Sequence, residues 1–228
     1  MKLCKRAASL LLFVVVALPA QASLLIGGTR LVFDGSHQAA TLSIENKDKV
    51  TNLVQSWLST ADDRSPEKDA FIITPPLFRL EPGGQATIRL VRSGKPLPDD
   101  RESMLWLNVK GIPAASDGPD KNTLQIAINS RIKMIYRPAA LKGATPQQVA
   151  DKLQWRFNGT ALEVKNNTPN YMNFSTLIVN GKPLSAPYFV APYSQLTIAN
   201  KTFPAHGQVT WKILDDFGMS TKSYSQGY

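Results

Sequence analysis

The chain has 228 residues and a formal net charge of +9, with 26 Lys and Arg against 17 Asp and Glu. Its single cysteine is Cys4, so a chain that loses its first residues on export has no disulfide and depends on packed cores for stability. The basic residues are scattered, without the basic runs interleaved with aromatic residues that are typical of nucleic-acid-binding proteins. Composition therefore argues against a disulfide-stapled fold and against a nucleic-acid partner.

The first 22 residues have the pattern of a secretory signal peptide. Lys2, Lys5 and Arg6 precede an apolar run at 10–18, and residues 20–22 form a small-x-small cleavage site. The run is shorter than the roughly 20 residues that a membrane-spanning helix needs, and no later segment approaches that length. We therefore expect export, cleavage before residue 23 and a soluble mature chain without membrane insertion.

The first half of the mature chain is rich in segments that alternate apolar and polar residues, which is the periodicity of β-strands. Asp34-Gly35 and residues 81–84 have the composition of turns between such strands. Near-regular spacing of strands and turns predicts an antiparallel sandwich, with Trp57 as a core residue. The predicted strands are Thr29 to Phe33, Ala40 to Glu45, Asn52 to Ser59, Phe71 to Thr74, Leu77 to Leu80, Gln85 to Val91 and Met104 to Val109.

The longest predicted strand spans residues 122–138 and ends at Arg137-Pro138, because proline cannot donate to a ladder. Six large apolar residues share one face of it. They are Leu124, Ile126, Ile128, Ile132, Met134 and Tyr136. Two interpretations remain open: all six fill a sandwich core, or the strand also offers part of its apolar row to another molecule.

The alternating pattern restarts after Pro138, which indicates a second β domain. Asn158-Gly159 and Asn180-Gly181 are typical hairpin turns. The predicted strands are Leu153 to Phe157, Leu162 to Lys165, Tyr171 to Val179, Leu196 to Ile198 and Val209 to Leu214. We predict a signal peptide at 1–22, a first domain at 23–138 and a second domain at 139–228, with Arg137-Pro138 as a stiff hinge.

The sequence contains no recognisable catalytic or cofactor motif. His37 and His206 fall in different predicted domains, and the mature chain has no cysteine, so we expect no metal site. A Gly-x-Ser-x-Gly elbow, a phosphate loop and a dinucleotide fingerprint are all absent from the sequence. We therefore expect a protein that is not an enzyme and has no cofactor.

The segment 97–114, LPDDRESMLWLNVKGIPA, is similar to the signature of the periplasmic pilus (fimbrial) chaperones of the chaperone–usher family. RIKMIYRPA at 131–139 resembles the strand-to-hinge segment of that family, and TRLVF at 29–33 resembles its opening strand. The resemblance implies an all-β fold of two immunoglobulin-like β-sandwich domains arranged around a cleft. It also implies the periplasm of a Gram-negative bacterium. The short loop at 112–124 is similar to the short-loop subgroup.

The resemblance implies that the protein binds pilus subunits by donating a β-strand, prevents their premature polymerisation and delivers them to an outer-membrane usher. Leu124, Ile126 and Ile128 match the donor row. Arg30 and Lys133 match the pair that anchors the subunit's C-terminal carboxylate. Lys133 has the opposite parity from the donor row, and two explanations that would reconcile the roles remain open: strand twist, or a bulge near 129–131.

Three charged residues match positions that lie between the domains in the family, and the resemblance implies that they form an interdomain ion network. These residues are Glu102, Arg137 and Asp216. The alternative functions are a structural pilus subunit or adhesin of immunoglobulin-like fold, and a secreted hydrolase on a β-sandwich. The free protein either remains single or caps its own donor strand by dimerising.

Overall fold

The computed structural model describes residues 23–60, 70–114, 125–185, 187–199 and 203–228. Over these residues the chain is almost entirely β-strand, which confirms the all-β prediction. The signal segment 1–22 and most of the loop at 112–124 lie outside the described residues, so those two expectations stay predictions. None of the helices within the described ranges is long and apolar enough to cross a membrane.

Within the described residues, the first sandwich consists of nine strands in two sheets. The strands are β1 (Leu24–Ile26), β2 (Arg30–Asp34), β3 (Ala39–Asn46), β4 (Asn52–Ser59), β5 (Phe71–Thr74), β6 (Leu77–Leu80), β7 (Gln85–Arg92), β8 (Ser103–Pro113) and β9 (Ile128–Arg137). One sheet has the order β1-β3-β7-β5 and the other β2-β9-β8-β4-β6. Alternate residues of both sheets, such as Phe33, Ile44, Ile88, Leu107 and Met134, fill the core between them.

Strand β9 is shorter than the sequence predicted. It begins at Ile128, residues 125–127 are not in a strand, and Leu124 lies outside the described residues. The ladder with β8 starts at the pair Gly111–Ile128, two residues before Pro113, which cannot donate a backbone hydrogen bond. The prediction that one strand spans 122–138 was therefore wrong at its beginning and right at its end.

The second sandwich has its own, separate core, in which Trp155 and Trp211 pack with ring centroids 5.6 Å apart. Its strands are β10 (Gln154–Phe157), β11 (Ala161–Lys165), β12 (Met172–Val179), β13 (Lys182–Pro183), β14 (Phe189–Val190), β15 (Gln195–Ala199), β16 (Gln208–Ile213) and β17 (Tyr224–Gly227). One sheet has the order β10-β11-β15, and the other has the order β13-β12-β16-β17 with β14 beside β12. Three single-turn 3₁₀ helices connect the two sandwiches, at Ala139–Leu141, Pro146–Gln148 and Ala150–Lys152.

Candidate functional site in the cleft between the sandwiches

Arg30 and Lys133 lie side by side because β2 and β9 are parallel neighbours and these two residues are paired in register. Met134 and Tyr136 point into the core of the first sandwich. Since side chains alternate along a strand, Lys133 points to the opposite face of the sheet, towards the second sandwich. The local fold therefore places two cations together in the cleft.

Both cations of this pair are partly removed from water, which makes their positive charges unfavourable. Desolvation lowers the pKa of the Arg30 guanidinium, while Asp216, Asp215 and Glu102 act in the opposite direction. Desolvation and, secondly, the charge of Arg30 lower the pKa of Lys133 to about 8. The Nε of Arg30 is buried and has no hydrogen-bond partner among the residues that the structure describes. The pair is chemically suited to receive an anion.

Second-sandwich residues complete the surroundings of Lys133. Its Nζ donates a hydrogen bond to Asn173 Oδ1 and lies 4.4 Å from the ring centroid of Phe189. On the first sandwich, the ring centroid of Trp106 is 5.6 Å from the same nitrogen. Sequence reasoning missed these three residues. The one available signal was Asn173, a polar residue between the apolar Met172 and Phe174.

Glu102, Arg137 and Asp216 form a contiguous ion network between the sandwiches. Arg137 Nε donates to Glu102 Oε1 at 2.8 Å, and its two terminal nitrogens donate to the two oxygens of Asp216 at 2.7 Å each. Glu102 also accepts hydrogen bonds from Asn170 Nδ2 at 3.0 Å and from the backbone N–H of Tyr171 at 2.7 Å. The network thus joins the start of β8 and the end of β9 to two segments of the second sandwich.

This network is largely removed from water. The side chains of Arg137 and Glu102 are 9% and 1% exposed, and that of Asp216 is 22% exposed. Burial raises the pKa of the Glu102 carboxyl, although Arg137 and the two other donors oppose that shift. Burial alone would lower the pKa of Arg137, but its hydrogen bonds to Asp216 and Glu102 raise it above its usual value.

The apolar row ahead of β9 is exposed. Ile126 and Ile128 are 64% and 49% exposed, whereas Met134 on the same face is fully buried. Pairing of β9 with β8 runs without interruption from Ile128 to Tyr136, so no bulge separates the row from Lys133. The apolar row and Lys133 lie on opposite faces of a regular strand.

One edge of β9 is only partly paired. Strand β2 covers that edge from Lys133 to Arg137, and within the described ranges no strand pairs with it between Ile128 and Ile132. Within the described ranges this stretch is thus an edge of the sheet, the kind of position at which a further strand can add. The exposed side chain of Ile128 lies at the beginning of this edge, and that of Ile126 lies two residues ahead of it.

No metal centre accompanies these features: within the parts of the chain that the structure describes, no three His, Cys, Asp or Glu residues group closely enough to hold an ion.

Comparisons with known proteins agree on one family. Residues 23–142 match the family described as pili and flagellar-assembly chaperone, PapD N-terminal domain, and residues 148–225 match the pili assembly chaperone PapD, C-terminal domain. The probable fimbrial chaperone LpfB of Escherichia coli O157:H7 is 39% identical, covering 86% of this chain and 87% of the relative. The chaperone protein FimC of Escherichia coli K12 is 35% identical, covering 94% and 89%.

Solved structures give the same result. The SafB chaperone, in a complex with the Salmonella enterica SafA pilin, superposes with a TM-score of 0.83 at 35% identity, covering 92% of this chain and 99% of that one. The Escherichia coli chaperone DraB superposes with a TM-score of 0.78 at 39% identity, covering 90% and 95%. These neighbours confirm the predicted pair of immunoglobulin-like sandwiches around a cleft.

Proposed function

This chain belongs to the family of pilus assembly chaperones, and on that premise we propose that it binds pilus subunits by donating a β-strand, prevents their premature polymerisation and delivers them to an outer-membrane usher. The observation that carries the proposal is the open edge of β9 with its exposed apolar row. We place the protein in the periplasm, as for the neighbour described as the periplasmic chaperone SfaE, after removal of residues 1–22.

Strand donation explains why an apolar edge is left exposed at all. An unpaired edge invites aggregation, and natural proteins usually cover or charge it. Here the exposed Ile128 begins that edge, the exposed Ile126 precedes it, and Leu124 continues the row in the sequence. A subunit that lacks a strand receives the backbone ladder from residues 128–132 and fills its groove with the row. Each large aliphatic side chain that is buried contributes about 1.5–3 kcal/mol.

Arg30 and Lys133 act as the anchor for the C-terminal carboxylate of the subunit. A carboxylate would satisfy the unpaired Nε of Arg30 and relieve the repulsion between the two cations. Charge-assisted hydrogen bonds of this kind contribute roughly 1.5–3 kcal/mol. Since the anchor lies at a fixed point of the β9 ladder, it also sets the register of the added strand.

Glu102, Arg137 and Asp216 hold the two sandwiches at the angle that forms the cleft. Their contribution is to orientation, because the charges of a buried network lose hydration as they gain mutual attraction. The boundary at residues 138–139 falls directly after this network, with Arg137 as the last residue of β9. We therefore regard 23–138 and 139–228 as two domains fixed in one arrangement.

The proposed role is binding without catalysis. The relatives reported above are named as chaperones, which does not favour the alternative of a pilus subunit or adhesin. A free protein with an open β9 edge can also pair with a second copy, and we propose that such a dimer caps the donor strand until a subunit displaces it.

The proposal is tested by co-expression with pilus subunits in a bacterial periplasm. The wild-type chain should form a stable one-to-one complex, and the double variant Arg30→Ala with Lys133→Ala should lose it. Arg89→Ala with Lys165→Ala is the matched control, since it removes the same charges from exposed positions on β7 and β11, which belong to sheets that hold none of the anchor residues. If the complex still forms in the cleft variant, the donor strand alone supplies the binding energy and the cleft pair is not an anchor. A well-folded chain that binds no subunit overturns the function.

A further inference from the structure

Two residues of the second sandwich point at Lys133 because of their positions in a small ladder. Asn173 on β12 and Phe189 on β14 are directly paired across the two strands, so their side chains lie on the same face. Their neighbours Met172 and Val190 are buried in the core of the second sandwich. Alternation therefore directs Asn173 and Phe189 out of that core and towards the first sandwich.

The two side chains, with Trp106, form a cage around the ammonium of Lys133. Asn173 accepts a hydrogen bond from Nζ, and the aromatic rings of Phe189 and Trp106 stabilise its positive charge. An ammonium has three N–H donors, and Asn173 occupies one of them. Among the residues that the structure describes, no carboxylate forms an ion pair with Lys133, so Asn173 is the acceptor that holds it.

The cage is fixed in place by the same elements that carry the ion network. The backbone carbonyl of Asn173 accepts a hydrogen bond from the N–H of Leu214 at 2.8 Å. The residues that follow Leu214 form the turn that contains Asp216, whose carboxylate binds Arg137. Asn173 is 2% exposed, so its side chain is held in one environment. The second sandwich thus holds the acceptor at a set position relative to Arg30.

We infer that Asn173 is a positioning residue of the carboxylate anchor: it holds the Lys133 ammonium beside Arg30 and leaves two of its donors for the incoming carboxylate. Phe189 supports the same position from β14. The inference rests on the proposed function, because it requires a carboxylate to bind at this pair. It assigns to the second sandwich a direct part in an anchor whose two cations both belong to the first.

A neutral acceptor is the group that this role requires. An acidic side chain at position 173 would bind the ammonium more strongly, but it would repel the carboxylate that the pair must receive. An apolar side chain would leave a half-buried ammonium without an acceptor and free to turn away from Arg30. Asparagine meets both conditions, since its carbonyl accepts without carrying a charge.

The test uses the full mature protein with its lysine side-chain nitrogens labelled for NMR. The pKa of Lys133 is measured in the free protein, and acetate is then added as the carboxylate probe, with acetamide as its neutral control. The variants are Asn173→Ala, Asn173→Asp and Phe189→Leu. The matched control is Ser175→Ala, an exposed position two residues along the same strand.

Asn173→Ala should lower the pKa of Lys133 below about 8 and raise the acetate concentration at half-saturation about tenfold, as expected for loss of one hydrogen bond to a charged group. Asn173→Asp should raise the pKa of Lys133 and yet weaken acetate binding. Phe189→Leu keeps an apolar side chain and should change both quantities in the direction of Asn173→Ala, which keeps the test open should Asn173→Ala fold poorly. Ser175→Ala should change neither.

In Asn173→Asp the pKa of Lys133 should rise while acetate affinity falls. If Asn173 served only in packing, Asn173→Ala and Asn173→Asp would change these two quantities in the same way, so the comparison separates a positioning role from a packing role. Acetate binding that is independent of residue 173 would overturn this inference and leave the proposed anchor in place. A wild-type Lys133 that does not respond to acetate, while its pKa still depends on residue 173, would overturn the anchor and this inference with it.

Discussion

Replacing Arg137 with Met isolates the energetic role of the ion network. The change leaves Glu102, with a side chain only 1% exposed, next to an apolar group of similar length. Removing one partner of a buried ion pair costs about 3–5 kcal/mol, because a buried charge is left uncompensated. Glu102 keeps its hydrogen bonds from Asn170 and Tyr171, so we expect the lower part of that range.

The pH dependence of this variant has a defined sign. Burial already raises the pKa of Glu102, and loss of Arg137 raises it further. A carboxyl whose pKa is higher in the folded than in the unfolded state binds more protons when folded, so stability falls as pH rises. The variant should therefore be most destabilised near neutral pH and should recover part of the loss on acidification, once Glu102 takes up a proton.

Urea unfolding of the wild type and the variant at neutral and mildly acidic pH measures both effects. Arg79→Met is the control, since Arg79 forms an ion pair with Glu81 at 2.6 Å in which both side chains are exposed, and exposed pairs contribute little to stability. Adding Glu102→Gln to Arg137→Met should restore much of the stability by removing the buried charge. A loss in Arg137→Met no larger than in Arg79→Met would refute the reasoning.

Three further predictions concern the anchor, the donor row and the core. Subunit affinity should be full below about pH 8 and should fall as pH rises beyond it, because deprotonation of Lys133 removes one cation from the anchor. Binding isotherms recorded over a pH series measure this change. An affinity that does not change with pH would contradict the prediction. Ile128→Asp should abolish the subunit complex in co-purification. It should change the free energy of unfolding little, since Ile128 is 49% exposed. The control Ile72→Asp, at a similarly exposed position outside the donor edge, should leave the complex intact. Phe33→Ala should lower the free energy of unfolding by about 3–5 kcal/mol, because the fully buried ring packs against Phe71 and Tyr136. Urea titrations measure this loss. A loss below about 1 kcal/mol would contradict the prediction and show that the core closes around the gap.

Most of the strands could be predicted from the sequence because one face of each sheet packs against a core and the other does not. That condition produces period-two alternation, and β4, β5 and β6 begin and end where the pattern predicted. The same rule explains an error. Trp57 was predicted as a core residue from its size, but Val54 and Leu58 face the core, so the odd-numbered Trp57 is half-buried on the other face.

The site could be predicted only in part. Alternation along β9 already put Lys133 on the face opposite to Ile128, and the continuous ladder with β8 accounts for this without a bulge. The contact of Arg137 with Asp216 joins residues 79 positions apart, which no local pattern can encode, so only the family resemblance led us to expect it. The same holds for Asn173, whose contact with Lys133 depends on how the two sandwiches meet.

The parallel pairing of β2 with β9 has a consequence for the direction of an incoming strand. A strand that pairs with residues 128–132 lies on the same edge of β9 as β2, which pairs with residues 133–137. The added strand must therefore end before Arg30, the first residue of β2. A strand that runs parallel to β9 reaches that stop with its carboxyl end, and its negative charge meets Arg30 and Lys133. An antiparallel strand would bring its positively charged amino end to the same two cations and be repelled. Strand β2 thus acts as an end stop that favours one direction of the added strand over the other.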